Sequence, residues 1–454
     1  MEPEVATRTS CLLVEKVSFG LGHIFNDLCA AMWFSYTLFY LQVVLTMESS
    51  TAGILLMIGQ VVDSLATPVV GWAIDYTGHR RLWHLGGTIA VSVGFPLIFS
   101  LKPSTITTEV IVYYVVTITL FQTGWAIVQI SHLSLIPEIS RNHNHSSELT
   151  AIRYTASVCC NISVYFITLI MLKTGGDDAE ESEGIGPSDF YKFKGVALII
   201  TFTGLLASMF FYCGLLGTQE NEYEVIREAD INDVNNLNTH DRQKHFLKSL
   251  LIYGVSLMYM ASRLFTILNL IYIPLYIDER GSLVEDKARM RQTIASIPLT
   301  CYIASFLTSI VLKFRNEVCN DKITYLCGSL FGLSASIWIG VGVSTASDTE
   351  LYVIAVLLGI CGSSTMVASL CLTANFVKTN GYGGGRVYSM VTFTDKLISG
   401  GVVLLVQNLQ CTPKTACPNF YENVLSYICG LVSVVGLASL ALLEIQIRKI
   451  MRRS

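Results

Sequence analysis

The sequence predicts an all-α membrane protein with twelve transmembrane helices in two six-helix halves. Of its 454 residues, 52% are hydrophobic and only 14% are charged, whereas soluble domains carry about 25% charged residues. The mean hydropathy of +0.53 is too high for a water-exposed surface over such a length. Twelve windows also reach the width of about 20 mostly apolar residues that a helix needs to cross the hydrocarbon layer.

Six predicted spans precede a long polar segment and six follow it. They lie near 18–45, 52–74, 83–101, 110–138, 151–172, 195–217, 249–276, 293–312, 323–343, 351–377, 387–409 and 424–446. Each is a mostly apolar run, and the polar segment 218–248 is the longest interruption between them. The chain is therefore expected to form an N-terminal bundle (1–217), a central cytoplasmic loop (218–248) and a C-terminal bundle (249–454).

The distribution of basic residues predicts the orientation of the helices. With the N-terminus in the cytoplasm, 19 of the 30 Lys and Arg residues fall on the cytoplasmic side, as the positive-inside rule requires. Both termini are therefore expected to be cytoplasmic. Cys411 and Cys417 share the last outer loop, where a disulfide and two free thiols are both open alternatives.

Several functional classes are disfavoured by the composition and the motifs. A net charge of −4 gives no concentrated basic face for nucleic acid. The sequence also shows no nucleophile–base arrangement, no metal-ligand cluster and no cofactor-binding loop. We expect neither an enzyme nor a bound cofactor or metal.

A loop between the second and third spans carries a recognisable motif, Gly71-Trp-Ala-Ile-Asp75-Tyr-Thr-Gly78-His-Arg80-Arg81. Gly71 is expected to let helix 2 approach a neighbour closely, Asp75 to cap a helix end, and Gly78 to turn the chain. Arg80 and Arg81 would remain at the cytoplasmic interface. The pattern resembles the cytoplasmic signature of the major facilitator superfamily, which implies the twelve-helix major facilitator fold. An ordinary charged turn is the alternative.

Further strings narrow the resemblance. They are Gly22-His23-Ile-Phe-Asn26-Asp27 in helix 1, Asp63 to Gly71 in helix 2, Gln129-Ile-Ser-His132 in helix 4, Arg153 in helix 5 and Asp395-Lys396 in helix 11. The set resembles the glycoside–pentoside–hexuronide cation symporter branch, and more closely the animal lysosomal and melanosomal cysteine carriers of that superfamily. The resemblance implies a secondary transporter that moves cysteine between the cytosol and a lysosome or melanosome. A sugar or lysolipid symporter and a non-transporting scaffold or receptor are the alternatives.

Charged residues within the spans are the candidates for substrate binding, because charge at mid-membrane is costly and usually faces an internal cavity. The resemblance implies that Asp27 contacts the ligand and that Arg153 lies opposite it. Such a pair suits a zwitterion, with Asp27 on the ammonium and Arg153 on the carboxylate. The alternatives are an Asp27–His23 bond that only packs helices and an Arg153 that anchors the membrane rim. The other expected substrate contacts are His23, Asn26, Gln129, His132 and Arg263, and His132 is either a proton relay or a packed donor.

A second group is expected to couple transport to a cation. In related sugar carriers, the residue that matches Asp63 binds the coupling cation, and further carboxylates occupy the positions where this chain has Thr67 and Gln129. The resemblance therefore implies a coupling role for Asp63. Sodium prefers several anionic oxygen ligands, so sodium coupling is disfavoured. A single aspartate near Lys396 suits a proton better, and a permanent Asp63–Lys396 ion pair is the alternative.

The central loop contains a candidate sorting signal, Tyr223-Glu-Val-Ile226. A tyrosine followed at the third position by a bulky hydrophobe can bind a sorting adaptor in an extended form. The expected location is a lysosome or a lysosome-related organelle of pigment cells, the melanosome. The expected partners are a small-molecule substrate, membrane lipid and a sorting adaptor, with no nucleic acid and with the protein acting as a monomer.

Overall fold

The computed structural model describes ten stretches of the chain. They are residues 16–77, 79–139, 143–173, 185–216, 250–281, 287–313, 321–344, 348–380, 384–411 and 417–451. All regular structure in these stretches is helical, which confirms the predicted all-α class.

Twelve long helical segments form the described structure. They are α1 (Ile24–Phe39, continued by π-helical Tyr40–Val44), α2 (Ser49–Thr77), α3 (Arg80–Ile98), α4 (Thr108–Ile139), α5 (His143–Lys173), α6 (Phe190–Leu216), α7 (Leu250–Gly281), α8 (Lys287–Lys313), α9 (Asp321–Val341), α10 (Thr349–Asn380), α11 (Gly384–Asn408) and α12 (Phe420–Asn423, π-helical Val424–Ile428 and Cys429–Met451). Each corresponds to one predicted span. A 3₁₀ turn, Pro187–Asp189, precedes α6.

Nine of these helices, among the described residues, are long and apolar enough to cross a membrane by length and composition alone. The other three are α1, α3 and α11, and each is short or carries ionisable residues. Asp27 lies in α1, Arg80 and Arg81 begin α3, and Asp395 and Lys396 lie in α11. Two of the three helices thus carry the charges expected to contact the substrate or couple transport.

Helix 1 differs from the continuous span predicted over 18–45. The chain is helical over 16–21, turns at Gly22 and His23, and becomes helical again at Ile24. A Cβ at Gly22 would come within 2.7 Å of the Phe211 ring and 2.9 Å of the His132 ring. Glycine is therefore required at this turn because neighbouring side chains pack directly against its backbone.

Among the described residues, the most extensive contacts between the first six helices and the last six are those of α2 with α11, α5 with α8, and α1 with α7. Of the nine candidate spans in the described structure, α7 is the most enclosed, with 83% of its most apolar window buried inside the protein. Other helices carry large exposed apolar side chains, including Leu65, Val69 and Trp72 on α2. Such faces fit a lipid environment, whereas α7 lies at the centre of the bundle.

Two sequence expectations concern the connecting segments. Cys411 and Cys417 form a disulfide with a Cα–Cα distance of 5.8 Å, which favours the bonded alternative. Helix α6 ends at Leu216 and α7 begins at Leu250. The segment 218–248 lies outside the described residues, so the division into two bundles and a central loop stays a prediction.

Candidate functional site

The first cluster of charged side chains surrounds His23. His23 and Asp27 lie one helical turn apart, so they share a face, and His23 Nδ1 is 3.0 Å from Asp27 Oδ2. Arg153 Nη2 from α5 lies 3.1 Å from His23 Nε2. Because a guanidinium can only donate, Nε2 must accept this hydrogen bond, and the imidazole carries its proton on Nδ1, facing Asp27.

This arrangement brings Asp27 and Arg153 together on either side of one imidazole. Among the described residues, no direct ion pair joins the two side chains. The expected contact with a zwitterion stays a prediction, and so does the alternative of a packing bond between Asp27 and His23. Asp27 nevertheless keeps 12% of its side chain accessible, so the cluster is not completely closed.

The remaining polar residues of helices 1 and 4 bond mainly to backbone. Asn26 Nδ2 donates to the Trp125 carbonyl over 3.5 Å and lies 3.4 Å from His23 Nε2. His132 Nε2 donates to the Phe19 carbonyl over 2.9 Å, and its ring stacks on Phe19. Its Nδ1 is buried without a hydrogen-bond partner, as is Oε1 of the half-buried Gln129.

Sequence reasoning missed His84. This fully buried residue on α3 contacts the Gly22 carbonyl through Nε2 over 3.1 Å and Tyr212 Oη through Nδ1 over 2.7 Å. Its ring centroid lies 5.9 Å from that of His132, which in turn lies 5.3 Å from that of His23. A single histidine in an apolar run was the only available signal, and such residues are usually packed donors.

The second cluster joins the two halves of the chain. Lys396 Nζ on α11 lies 2.7 Å from Asp63 Oδ2 on α2 and donates to Thr67 Oγ1 over 3.2 Å. Thr67 Oγ1 also donates to the Asp63 carbonyl over 2.8 Å. The ammonium thus contacts two of the three side chains at the expected cation-binding positions, Asp63 and Thr67 but not Gln129. The structure has the ion pair formed, and both a permanent pair and a pair that opens on protonation stay predictions.

Sequence reasoning also left the partner of Arg263 open. Arg263 Nε on α7 lies 3.3 Å from Asp395 Oδ2 on α11, and Ser399 Oγ donates to Asp395 Oδ1 over 3.3 Å. Asp395 and Lys396 are adjacent on a helix, so they point about 100° apart. Consequently Asp395 pairs with α7 and Lys396 pairs with α2.

A cavity of about 190 Å³ lies between α5, α7, α8 and α10. Arg263 and Asn269 line it, and a substrate contact of Arg263 stays a prediction. The other residues that line it include Ser157, Asn161, Thr266, Leu270, Cys301, Tyr302, Ser305, Leu358, Ser363 and Met366. Asp27, Asp63, Arg153 and Lys396 are not part of this lining, although Ser157 and Asn161 follow Arg153 at four-residue steps along α5.

The loop motif between helices 2 and 3 is only partly described. The expectation that Gly71 permits a close helix approach is wrong in this structure, because an added Cβ would meet only Ile130 Cγ2, at an ordinary 3.8 Å. Arg80 and Arg81 begin α3. Gly78, the Asp75 side chain, Tyr223 and Ile226 lie outside the described residues.

Comparisons with known proteins agree with this architecture. The profile of the family described as MFS/sugar transport protein matches residues 18–444. The chain is similar to major facilitator superfamily domain-containing protein 12 of mouse, with 35% identity over 462 residues that cover 96% of this chain and 95% of the relative. A symporter of Synechocystis is 27% identical over 177 residues, which cover 37% of this chain and 32% of the symporter.

The solved structures share the fold at low sequence identity. The inward-open xylose transporter XylE of E. coli aligns with a TM-score of 0.65 and 12% identity, covering 95% of this chain and 94% of XylE. The tetrameric transporter PepTSo2 aligns with a TM-score of 0.66 and 12% identity, covering 97% and 99%.

These matches are to transporters rather than to enzymes, and such transporters need no cofactor. The predicted fold and the symporter-like resemblance are confirmed. The chain therefore belongs to the MFS/sugar transport protein family of the major facilitator superfamily, and it is a multi-pass membrane protein that acts as a secondary transporter.

Proposed function

We propose that this transporter carries a small zwitterionic amino acid, foremost cysteine, between the cytosol and the lumen of a lysosome or melanosome. The observation that carries the proposal is the Asp27–His23–Arg153 cluster, in which an anion and a cation flank one buried imidazole. A neutral cargo needs only hydrogen bonds. A cargo with a positive and a negative group explains why a carboxylate and a guanidinium are both present within the membrane, where charge is costly. In transport, Asp27 takes the ammonium and Arg153 takes the carboxylate.

The Asp63–Lys396 pair is the proposed coupling element. It links α2 to α11 across the two halves, and Lys396 Nζ is 2.7 Å from Asp63 Oδ2. A proton on Asp63 would remove the attraction and let the helices separate, which alternating access requires. Because Lys396 already contacts Asp63 and Thr67, a proton fits this position better than sodium.

Uptake of radiolabelled cysteine into proteoliposomes tests the proposal directly. The wild-type protein is expected to give saturable uptake, while Asp27→Asn and Arg153→Gln reduce it at least tenfold. Arg448→Gln is the matched control, because that side chain is exposed at the end of α12 and bonds Glu444. Wild-type rates in the Asp27 and Arg153 variants would refute the assignment of the site.

A sugar is the second candidate cargo, since the matched family is described by sugar transport and a xylose transporter shares the fold. The same vesicles therefore receive labelled xylose, melibiose and lysophosphatidylcholine. Saturable uptake of one of these without cysteine uptake would favour the sugar or lysolipid alternative. A scaffold or receptor would instead retain its function after charge removal at Asp27, Asp63 and Lys396.

The proposed organelle depends on Tyr223 and Ile226 in the central loop. Tyr223→Ala is expected to move a fluorescent fusion from lysosomes to the plasma membrane, whereas Glu224→Ala, at a position the signal does not specify, leaves it in place. Unchanged lysosomal location in Tyr223→Ala would exclude this signal. Tags at both ends, tested for antibody access before and after permeabilisation, check the cytoplasmic termini.

A further inference from the structure

The start of α12 is capped by a side chain from another helix. The first amides of a helix have no intrahelical acceptor, and Asn419, the N-cap residue, makes no side-chain cap hydrogen bond. Glu279, at the end of α7, accepts from the Phe420 amide through Oε1 over 2.7 Å. Its Oε2 accepts from the amides of Tyr421 and Glu422 over 2.8 and 3.4 Å. One carboxylate thus holds three backbone donors, at the helix end where the dipole favours negative charge.

Tyr421, which is held in the middle of this cap, connects the two halves of the chain. Its Oη donates to Oε1 of Gln42, in the π-helical end of α1, over 2.8 Å. Gln42 Nε2 in turn donates to Gln407 Oε1 on α11 over 2.5 Å. All three of these residues are buried. Because Glu279 fixes the Tyr421 backbone, the position of the hydroxyl that contacts the first six helices depends on that carboxylate.

Both helices that meet at this contact depart from regular α-helix beside it. Gln42 lies within π-helical Tyr40–Val44, and α12 is π-helical over Val424–Ile428, directly after its first turn. Short π-helical turns inside α-helices occur frequently at functional sites. The two helix ends therefore meet where the hydrogen-bond pattern of each changes.

Protonation of Glu279 would weaken the cap. A carboxylate has acceptor oxygens only, whereas a carboxylic acid carries a hydroxyl on one of them. The three bonds are charge-assisted while Glu279 is ionised, and bonds of this kind are roughly twice as strong as neutral ones. The side chain is half-buried, so protons of the adjoining solution can reach it.

Several ionisable groups surround Glu279. They are Tyr276, Asp278 and Arg280 on α7, and Tyr421 and Glu422 on α12. The Arg280 guanidinium donates to the carbonyls of Val343 and Ser344, after α9. Helix α9 also packs against the start of α12, and it has no ionisable side chain over 337–341. The other carboxylates that a test must separate from Glu279 are therefore Asp278 and Glu422.

We propose that Glu279 is a pH-dependent latch between the two halves. Its carboxylate holds the start of α12 so that Tyr421 contacts Gln42, and a proton on Glu279 loosens that contact. In the predicted orientation this end lies opposite the cytoplasm, so the latch responds to the pH of the compartment on that side. The acidity of that compartment rests on the proposed function, whereas the latch itself rests on the contacts described above.

Hydrogen exchange of the backbone amides measures the latch directly, because exchange reports the local opening of each hydrogen bond. Amides 420–422 of the full-length protein in detergent are compared near neutral pH and near the pH of an acidic organelle, with intrinsic exchange rates corrected. Their protection is expected to fall at least tenfold on acidification of the wild type. In Glu279→Gln it should be low under both conditions, because the side-chain amide has one acceptor oxygen and no charge.

Three further variants identify the group that titrates. Glu350 on α10 also accepts from a backbone amide, that of Ser344 over 3.3 Å, so Glu350→Gln is the matched control with wild-type protection at 420–422. Asp278→Asn and Glu422→Gln should keep the pH dependence. Its loss in either of them, together with its retention in Glu279→Gln, would overturn the assignment to Glu279. Wild-type protection in the rest of α7 excludes misfolding of Glu279→Gln.

The same experiment tests the connection between the halves. Amides 40–44 are expected to lose protection together with 420–422 on acidification. Tyr421→Phe, which lacks the hydroxyl, should lower protection of 40–44 under both conditions while 420–422 still respond to pH. Protection of 420–422 that does not change with pH, or protection of 40–44 that does not follow it, would overturn the latch. Because no cargo is added, a failure to transport cysteine would refute the proposed function and leave this result unaffected.

Discussion

The buried charges of this protein are paired between helices that are distant in the sequence. Arg153 on α5 bonds His23 beside α1, Lys396 on α11 bonds Asp63 on α2, and Arg263 on α7 bonds Asp395 on α11. An ion buried without a partner is strongly destabilising, whereas removing both partners is often tolerated. Single and double substitutions should therefore have different effects.

Substitutions of His23 separate the effect of its hydrogen bonds from the effect of its protonation. Glutamine can accept from Arg153 and donate to Asp27, but it does not titrate, whereas phenylalanine makes neither contact. His23→Phe is expected to reduce cysteine uptake at least tenfold. His23→Gln should retain uptake but lose the part of its pH dependence that comes from protonation of the imidazole.

The sign of that dependence follows from the geometry. Arg153 donates to His23 Nε2, so a proton on Nε2 would remove the acceptor and release the guanidinium for a carboxylate. Wild-type uptake should accordingly rise as the side facing this cluster is acidified. A His23→Gln protein with the wild-type pH profile would contradict this role.

The Asp63–Lys396 pair is expected to serve both stability and transport. Asp63→Asn alone leaves the Lys396 ammonium unpaired and should lower the free energy of unfolding by about 3 kcal/mol, measured by thermal unfolding in detergent. Combining it with Lys396→Gln should recover most of that stability without restoring uptake. Neutralising the partly exposed Lys322–Glu444 pair is the control and should change stability by less than about 1 kcal/mol. A double variant no more stable than Asp63→Asn would argue against the pairing.

At the scale of helices, the interruption of helix 1 determines which backbone groups are available. At the turn, the Phe19 carbonyl accepts from the Gly22 amide over 3.2 Å and also from His132, and the Gly22 carbonyl accepts from His84. In an uninterrupted helix these carbonyls would bond to amides four residues later. The break therefore explains how one ring nitrogen of each of these two buried histidines finds a backbone acceptor.

Helices α3 and α4 pack closely at glycines. Substituting a glycine at this contact, and another on α3 that lies away from it, gives a test with a matched control. A Cβ on Gly94 would lie 2.7 Å from the Phe121 amide nitrogen, whereas one on Gly86 would meet nothing within 4 Å. Gly94→Ala should lower stability by roughly 1–3 kcal/mol through overpacking. Gly86→Ala should be neutral or stabilising by up to about 1 kcal/mol, because alanine favours helix. Equal melting temperatures for the two variants would contradict close packing at Gly94.

At the scale of the whole molecule, a polar network closes one end of the bundle. Gln42, after α1, donates to Gln407 on α11 over 2.5 Å and accepts from Tyr421 on α12 over 2.8 Å. Gln407 also donates to Tyr272 on α7 over 3.3 Å. In the predicted orientation this end lies on the side opposite the cytoplasm, and these contacts join α1, α7, α11 and α12 there.

Cross-linking across that end tests alternating access. Ser50 Oγ on α2 donates to Asn408 Oδ1 on α11 over 2.6 Å, and Asn408 is exposed while Ser50 is half-buried. Ser50→Cys combined with Asn408→Cys, treated with a short bifunctional maleimide, is expected to lose more than 90% of cysteine uptake. Each single variant, treated identically, measures the effect of the reagent on the native cysteines. Full uptake after confirmed cross-linking would show that this end does not need to open.

The sequence by itself determined the membrane class, the twelve helices and the identity of most intramembrane charges. These features could be predicted because the hydrocarbon layer requires long apolar helical runs and penalises charge within them. Each is therefore visible in a short stretch of the sequence. The all-α fold and the family resemblance were confirmed on that basis. The close-approach role of Gly71 was wrong because the position of a neighbouring helix is not a local property.

Only the tertiary structure decided which charges meet and where the cavity lies. His23 and Arg153 are 130 residues apart, and Lys396 and Thr67 are 329 apart. His84 and the Asp395 contact have no signature in their own segments. A partner is chosen by how helices pack, and packing depends on many side chains together, so neither spacing nor composition along the chain can specify it.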